Sequence, residues 1–80
     1  MYNEIIISNY DAMFSFKVMI DGVEIEKEKA RDIVREIQGI DFQIYGYDDD
    51  RSNAFKSFAK KLNCKRLIYC DCGDIEIYEP

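Results

Sequence analysis

The sequence predicts an α+β fold, a two-layer sandwich in which two helices cover one face of a mainly antiparallel sheet. Several segments carry apolar residues at every second position, the period of a half-buried strand, and two others carry them at helical spacing. Each predicted helix has a single apolar stripe, which needs a sheet to cover it. At 80 residues, 48 % of them hydrophobic, the chain forms one domain spanning 1–80, with the element order ββ(β)αβαββ.

The first part of the chain predicts strands joined by turns. Residues 4–8 are rich in β-branched side chains and predict a first strand, which is followed by a turn. Residues 13–20 alternate between apolar and polar side chains and predict a second strand. Asp21 and Gly22 then form a dipeptide that tolerates positive φ in a tight hairpin, so a short third strand is expected after them.

Two helices are predicted, with a strand between them. Residues 27–38 place apolar side chains at positions i, i+3, i+4 and i+7, and a second stripe of this kind spans about residues 51–63. Between the two, residues 41–47 return to a period of two. This period predicts a strand that directs Phe42 and Ile44 towards the core and the intervening side chains away from it.

The closing hairpin leads to the main functional hypothesis. Residues 65–71 and 74–79 predict two strands, and the alternation assigns Ile75 and Ile77 to the core. If both helices cover one face of the sheet, the other face stays open, and tyrosine and methionine on it are typical of protein interfaces. Ordinary cross-strand pairs on a wet sheet are the alternative. The predicted partner-binding residues on the open face are Tyr45, Tyr47, Tyr69, Glu76 and Tyr78, with Lys17 and Met19 from the second strand.

Acidic residues extend this predicted surface. The net charge of -5 and the pI of about 4.6 favour basic partners over nucleic acid. Three consecutive aspartates precede the second predicted helix, where carboxylates satisfy free N–H groups and suit the positive end of the helix dipole. Their spacing does not fit a calcium-binding EF-hand loop. The acidic, phosphate-like surface comprises Asp48, Asp49, Asp50, Asp71, Asp74, Glu76 and Glu79.

A basic segment supports an alternative hypothesis. Residues 51–66 carry six bases and no acid, whereas the rest of the chain carries all 16 acids and only five bases. An exposed basic helix can bind a nucleic-acid backbone without sequence specificity, and the candidate contacts are Lys56, Lys60 and Lys61. The acidic remainder of the chain opposes an extended polyanion. The bases also fit a solvated helix face.

Residue types common in catalytic and metal sites are missing or badly spaced. The chain has no histidine, the commonest general base near neutral pH, and no glycine-rich phosphate loop. Cys64, Cys70 and Cys72 lack the paired spacing of a structural zinc site, so we expect them to be small core residues. We therefore expect no enzyme, no cofactor and no metal. The odd number of cysteines and the short apolar runs predict a cytoplasmic protein without a membrane span.

These observations predict a non-catalytic protein-binding module, a small acidic adaptor or inhibitor. Its partner would be another protein, and a basic, nucleic-acid-handling protein fits the charge. DNA-mimic and anti-CRISPR inhibitors act in this way, although no motif places the chain in such a family. A structural homo-oligomer, such as a homodimer formed through the tyrosine face, is a further hypothesis.

Overall fold

The computed structural model describes residues 1–11, 15–44 and 48–80, with only the backbone described for Asp11 and Asp48. It confirms the predicted α+β class, with two helices on one face of a sheet. No helix in these ranges is long and apolar enough to cross a membrane. The elements, in chain order, are β1 (Tyr2–Asp11), β2 (Ser15–Ile20), β3 (Val23–Glu24), α1 (Lys27–Gln43), α2 (Asp48–Lys61), β4 (Cys64–Asp71) and β5 (Asp74–Tyr78).

The five strands form one sheet in the order β3-β2-β1-β4-β5. β1 and β4 pair in parallel at the centre, and the three other neighbouring pairs are antiparallel. Both hairpins turn through two residues with positive φ, Asp21-Gly22 and Cys72-Gly73. Such turns match the right-handed twist of the strands that they join, and they fix which residues of the two strands face each other.

Both helices bury one stripe against the same side of the sheet. α1 contributes Ala30, Val34 and Ile37 at helical spacing, as the sequence predicted. At the centre of the α2 contact, the Phe55 ring stacks on two tyrosine rings of the last hairpin, at 5.9 and 4.9 Å between centroids. These tyrosines are Tyr69 and Tyr78, and the remaining large side chains of this core are Ile5, Ile7, Phe16, Val18, Phe58 and Leu67.

The strand predicted between the two helices is not present where the structure can be described. α1 continues through Gln43, and the Ile44 N–H donates to the Ile40 carbonyl at 3.0 Å, as in a helix end. Phe42, which the sequence assigned to the core, is 84 % exposed, and Ile44 is half-buried. The helical spacing of the isoleucines in α1 therefore prevails over the short alternation. Residues 45–47 lie outside the described residues.

The aromatic stack should carry a large share of the core's stability. Because Phe55 is fully buried, Phe55→Ala should lower the free energy of unfolding by about 3–5 kcal/mol. The matched control is Phe42→Ala, on the exposed end of α1, which should change it by less than about 0.5 kcal/mol. Urea unfolding of both variants measures the difference. Similar losses for the two would contradict the placement of the rings.

Candidate protein-binding face

The face of the sheet opposite the helices carries a contiguous set of apolar side chains. One row runs across four strands in register, because Met19 pairs with Ile6, Ile6 with Ile68, and Ile68 with Ile77. In the next row Cys70 pairs with Ile75. We call these six residues the apolar face: Ile6, Met19, Ile68, Cys70, Ile75 and Ile77.

The most exposed residues of the apolar face lie on β5. Ile75 is 67 % exposed and Ile77 is 59 % exposed, while the other four members are half-buried by their neighbours. A charged row borders the patch, since Arg66 approaches Glu79 at 3.1 Å and Glu4 at 4.0 Å. An apolar centre with a polar border is the usual anatomy of a protein interface.

Two of the tyrosines predicted for this face lie on the opposite one. Tyr69 is 1 % exposed and Tyr78 is 8 % exposed, and both pack beneath α2. Glu76 shares their side of the sheet, so the grouping of the three was predicted correctly and the side was wrong. Ile75 and Ile77, which the sequence assigned to the core, occupy the open face instead.

The turn of the last hairpin accounts for this exchange of faces. A two-residue turn pairs Asp71 directly with Asp74, and paired residues share one face of a sheet. β4 buries Leu67 and Tyr69 under the helices, which places alternate residues of both strands on the helix side. Glu76 must therefore face the helices as well.

Arg51 holds this inward-facing glutamate. Its guanidinium donates from Nε to Glu76 Oε1 at 2.9 Å and from Nη2 to Oε2 at 2.7 Å, a bidentate pair. Its Nη1 donates to Asp41 of α1. The same guanidinium lies 4.7 Å from the centre of the Phe55 ring. One side chain of α2 thus joins β5 to both helices.

The electrostatics of this contact shift the titration of its members. The hydrogen bonds from Arg51 lower the pKa of Glu76, and the bond to Glu76 raises the pKa of Arg51. Burial raises the pKa of Tyr78 to about 12, and its hydroxyl donates to Glu76 Oε1 at 3.1 Å. Burial also raises the pKa of Tyr69 to about 12, an effect that the buried Asn9 side chain partly offsets.

An acidic depression lies beside the exposed end of β5. Its volume is about 400 Å³, and four carboxylates and one guanidinium line it, so its charge is negative. Asp49 and Asp50 are exposed in the first turn of α2, where carboxylates suit the helix dipole, and of Asp48 only the backbone is described. The lining residues are Asp41, Arg51, Asp71, Asp74, Ile75 and Glu76.

Two further sets of residues were predicted to bind partners. Tyr45 and Tyr47 lie outside the described residues. Lys56, Lys60 and Lys61, the candidate nucleic-acid contacts, are exposed on α2, and Lys61 Nζ forms an ion pair with Glu36 Oε2 of α1 at 2.8 Å. The basic helix therefore has acidic neighbours.

The three cysteines occupy different environments. Cys64 is buried as predicted, its thiol donates to the Ala59 carbonyl at 3.6 Å, and burial raises its pKa. The prediction of a core position is wrong for Cys72, which is exposed in the turn with its thiol 3.4 Å from the Tyr10 carbonyl, and Cys70 is only half-buried. Within the described ranges, no three His, Cys, Asp or Glu side chains are grouped to hold a metal ion.

Comparison with known proteins adds no relative. The chain matches no protein-family model, and it has no significant match among curated proteins or solved structures.

The Arg51–Glu76 pair should give the fold a characteristic acid dependence. Because the pKa of Glu76 is lowered in the folded state, its stabilising contribution is complete above the ordinary value of 4.5 and is lost as the pH falls through the folded value. We expect Glu76→Gln to lower the free energy of unfolding at pH 7 by about 1–3 kcal/mol, and to flatten its decline below about pH 4.5. Urea unfolding at a series of pH values measures both effects.

The control is Glu79→Gln, which removes a carboxylate from an exposed ion pair on the other face. It should change the free energy of unfolding by less than about 1 kcal/mol. An unchanged acid dependence in Glu76→Gln would show that the Arg51 contact does not hold β5.

Proposed function

We propose that the chain is a protein-binding module, an adaptor or inhibitor that docks another protein on the apolar face. The observation that carries this proposal is the outward orientation of Ile75 and Ile77 beside the half-buried Ile6, Met19 and Ile68. Complete burial of an isoleucine side chain stabilises by about 1.5–3 kcal/mol, a gain that both leave largely unused in the isolated chain. Contiguous exposed apolar patches mark interaction sites.

Charge specifies the kind of partner. Ile75 belongs both to the apolar face and to the lining of the acidic depression, so a protein seated on the face also meets Asp71 and Asp74. A partner that places basic side chains beside an apolar contact fits both surfaces. The chain's net charge of -5 raises the rate of encounter with such a partner, and burial of the isoleucines keeps the complex together.

A basic protein that handles nucleic acid has the required chemistry. Its phosphate-binding residues would meet the carboxylates of the depression, and the chain would compete with nucleic acid for them. This competition would make the module an inhibitor; binding elsewhere on the same protein would make it an adaptor.

The test starts from the native host, with immobilised chain used to isolate a partner that is then purified and titrated. Ile77→Lys should weaken binding of the purified partner at least about tenfold, because the substitution places a charge in the apolar contact. The matched control is Val23→Lys at the opposite edge of the sheet, a residue as exposed as Ile75 at 67 %, and it should leave binding unchanged. Raising the salt concentration should weaken binding by the wild-type chain.

Three outcomes would contradict the proposal. One is an isolated partner that binds Ile77→Lys and the wild type equally well, and another is the recovery of no protein by the wild type. The third is a dimer of the free chain that Ile77→Lys dissociates in sedimentation, since this would make a second copy the occupant of the face.

A further inference from the structure

We infer that the partner of this module supplies an extended segment, with alternating apolar and basic side chains, that adds to β5 as a sixth strand of the sheet. The inference rests on the proposed function and specifies how the apolar face is engaged. It follows from the backbone of β5, from the opposite edge of the sheet, and from the charges along the strand.

The pairing of the last hairpin directs free backbone groups outward. In a two-residue hairpin the residues next to the turn, here Asp71 and Asp74, exchange backbone hydrogen bonds, and the exchange recurs at every second residue. The amide and carbonyl groups of Glu76 therefore face β4, and those of Ile75 and Ile77 face away from the sheet. β5 is the last strand in the sheet order, so within the described part of the chain these outward groups form an open edge.

The opposite edge of the sheet is largely protected by the chain itself. β3 pairs with the end of β2, and the Ile25 N–H donates to the Val18 carbonyl at 3.0 Å. The next outward carbonyl, that of Phe16, accepts a hydrogen bond from Lys27 Nζ at 2.8 Å. Proteins usually protect edge strands in this way, with short strands and lysines. The fold applies this protection on one side, whereas β5 exposes two isoleucines on the other.

β5 is also held ready for pairing. The bidentate contact of Arg51 with Glu76 fixes the middle of the strand, and the stack of Tyr78 on Phe55 fixes its end. A strand that is already extended and fixed loses little conformational entropy when another strand joins it, so more of the interaction energy appears as affinity.

The side chains of β5 specify those of the added strand. On the open face the incoming strand lies beside Ile75 and Ile77, which favours apolar, β-branched neighbours. On the helix face the incoming strand lies beside the exposed Asp74, and Asp71 lies one strand further in. These two carboxylates favour lysine or arginine in the incoming strand. A segment that alternates between these two classes matches both faces at once.

A second copy of β5 matches less well. If two copies pair so that Ile75 of one lies opposite Ile77 of the other, the Glu76 side chains of the two copies face each other directly. Like charges at directly opposed positions destabilise a sheet. Charge complementarity therefore favours a basic segment of another protein over a homodimer.

The test uses a synthetic peptide, Lys-Val-Lys-Val-Lys-Val-Lys with blocked ends, titrated into the isotopically labelled chain and followed by amide hydrogen exchange. In the free chain the amides of Ile75 and Ile77 should exchange rapidly, since neither faces another strand among the described residues. Saturation with the peptide should slow both by at least about tenfold. The Glu24 amide, which faces outward at the opposite edge by the same pairing rule, serves as the internal control and should not change.

Two further arms separate strand addition from simple charge attraction. A peptide of the same composition in block order, with the valines together, should bind at least about tenfold more weakly. Ile75→Pro should weaken binding of the alternating peptide more than Ile75→Ala does. Both substitutions remove the isoleucine side chain, but only proline also removes the outward N–H.

Each remaining outcome contradicts the inference in a different way. Binding that perturbs the Ile75 and Ile77 methyl groups but leaves their amides unprotected overturns strand addition and leaves the proposed docking face in place. Equal binding of the two peptides, or no binding of either, overturns the alternating basic segment, while the proposed function is judged separately with the purified partner. Concentration-dependent protection of these amides without peptide makes the added strand a second copy of the chain.

Discussion

The bidentate contact between Arg51 and Glu76 is the interaction on which the character of the exposed sheet face depends. It allows a carboxylate to lie under the helix layer, where a half-buried charge without a partner would be strongly unfavourable. With Glu76 held inward, the alternation of β5 leaves Ile75 and Ile77 in water. The opposite orientation would bury both isoleucines and expose the glutamate. The fold therefore gives up hydrophobic stabilisation in β5, and the two-residue turn, the guanidinium contact and the Tyr78–Phe55 stack offset the loss.

Stabilisation that is forgone at a surface becomes available when a partner covers that surface. Ile75 lies where the apolar face meets the acidic depression, so one docking event can satisfy a hydrophobic and an electrostatic requirement together. The contrast between the two edges of the sheet also favours docking at β5. Lys27 and the short β3 protect one edge, and among the described residues no strand pairs with the outer side of β5 at the other. The apolar face, the outer edge of β5 and the acidic depression thus lie next to one another.

Much of the fold follows from local patterns in the sequence. The stripes of both helices, the positive φ at Asp21-Gly22, the closing hairpin and the single covered face of the sheet were all predicted from spacing and turn chemistry. The strand over residues 41–47 was not found in its described part, because α1, which the sequence predicted to end near residue 38, continues through Gln43. α1 passes through Gly39, and Ile40, about one turn after the buried Ile37, still packs on the core.

The candidate site was harder to predict, because β4 is apolar on both faces. Its inward set contains Leu67 and Tyr69 and its outward set contains Ile68 and Cys70, so hydrophobicity alone does not say which set faces the helices. The orientation is decided by tertiary contacts, namely the aromatic stack around Phe55 and the guanidinium of Arg51. One signal was present in the sequence. A base in the first turn of the second helix and a glutamate between two isoleucines suggest an ion pair that turns the isoleucines outward.

The orientation of β5 can be measured directly with a soluble gadolinium chelate, which accelerates the relaxation of exposed methyl groups in isotopically labelled protein. The structure predicts strong acceleration for the methyl groups of Ile75 and Ile77 and almost none for those of Ile5 and Ile7, which are 1 % and 0 % exposed. Protection of Ile75 and Ile77 at the level of Ile5, with strong acceleration for the Tyr78 ring, would contradict it. That result would mean that β5 faces the other way and that the apolar face does not exist.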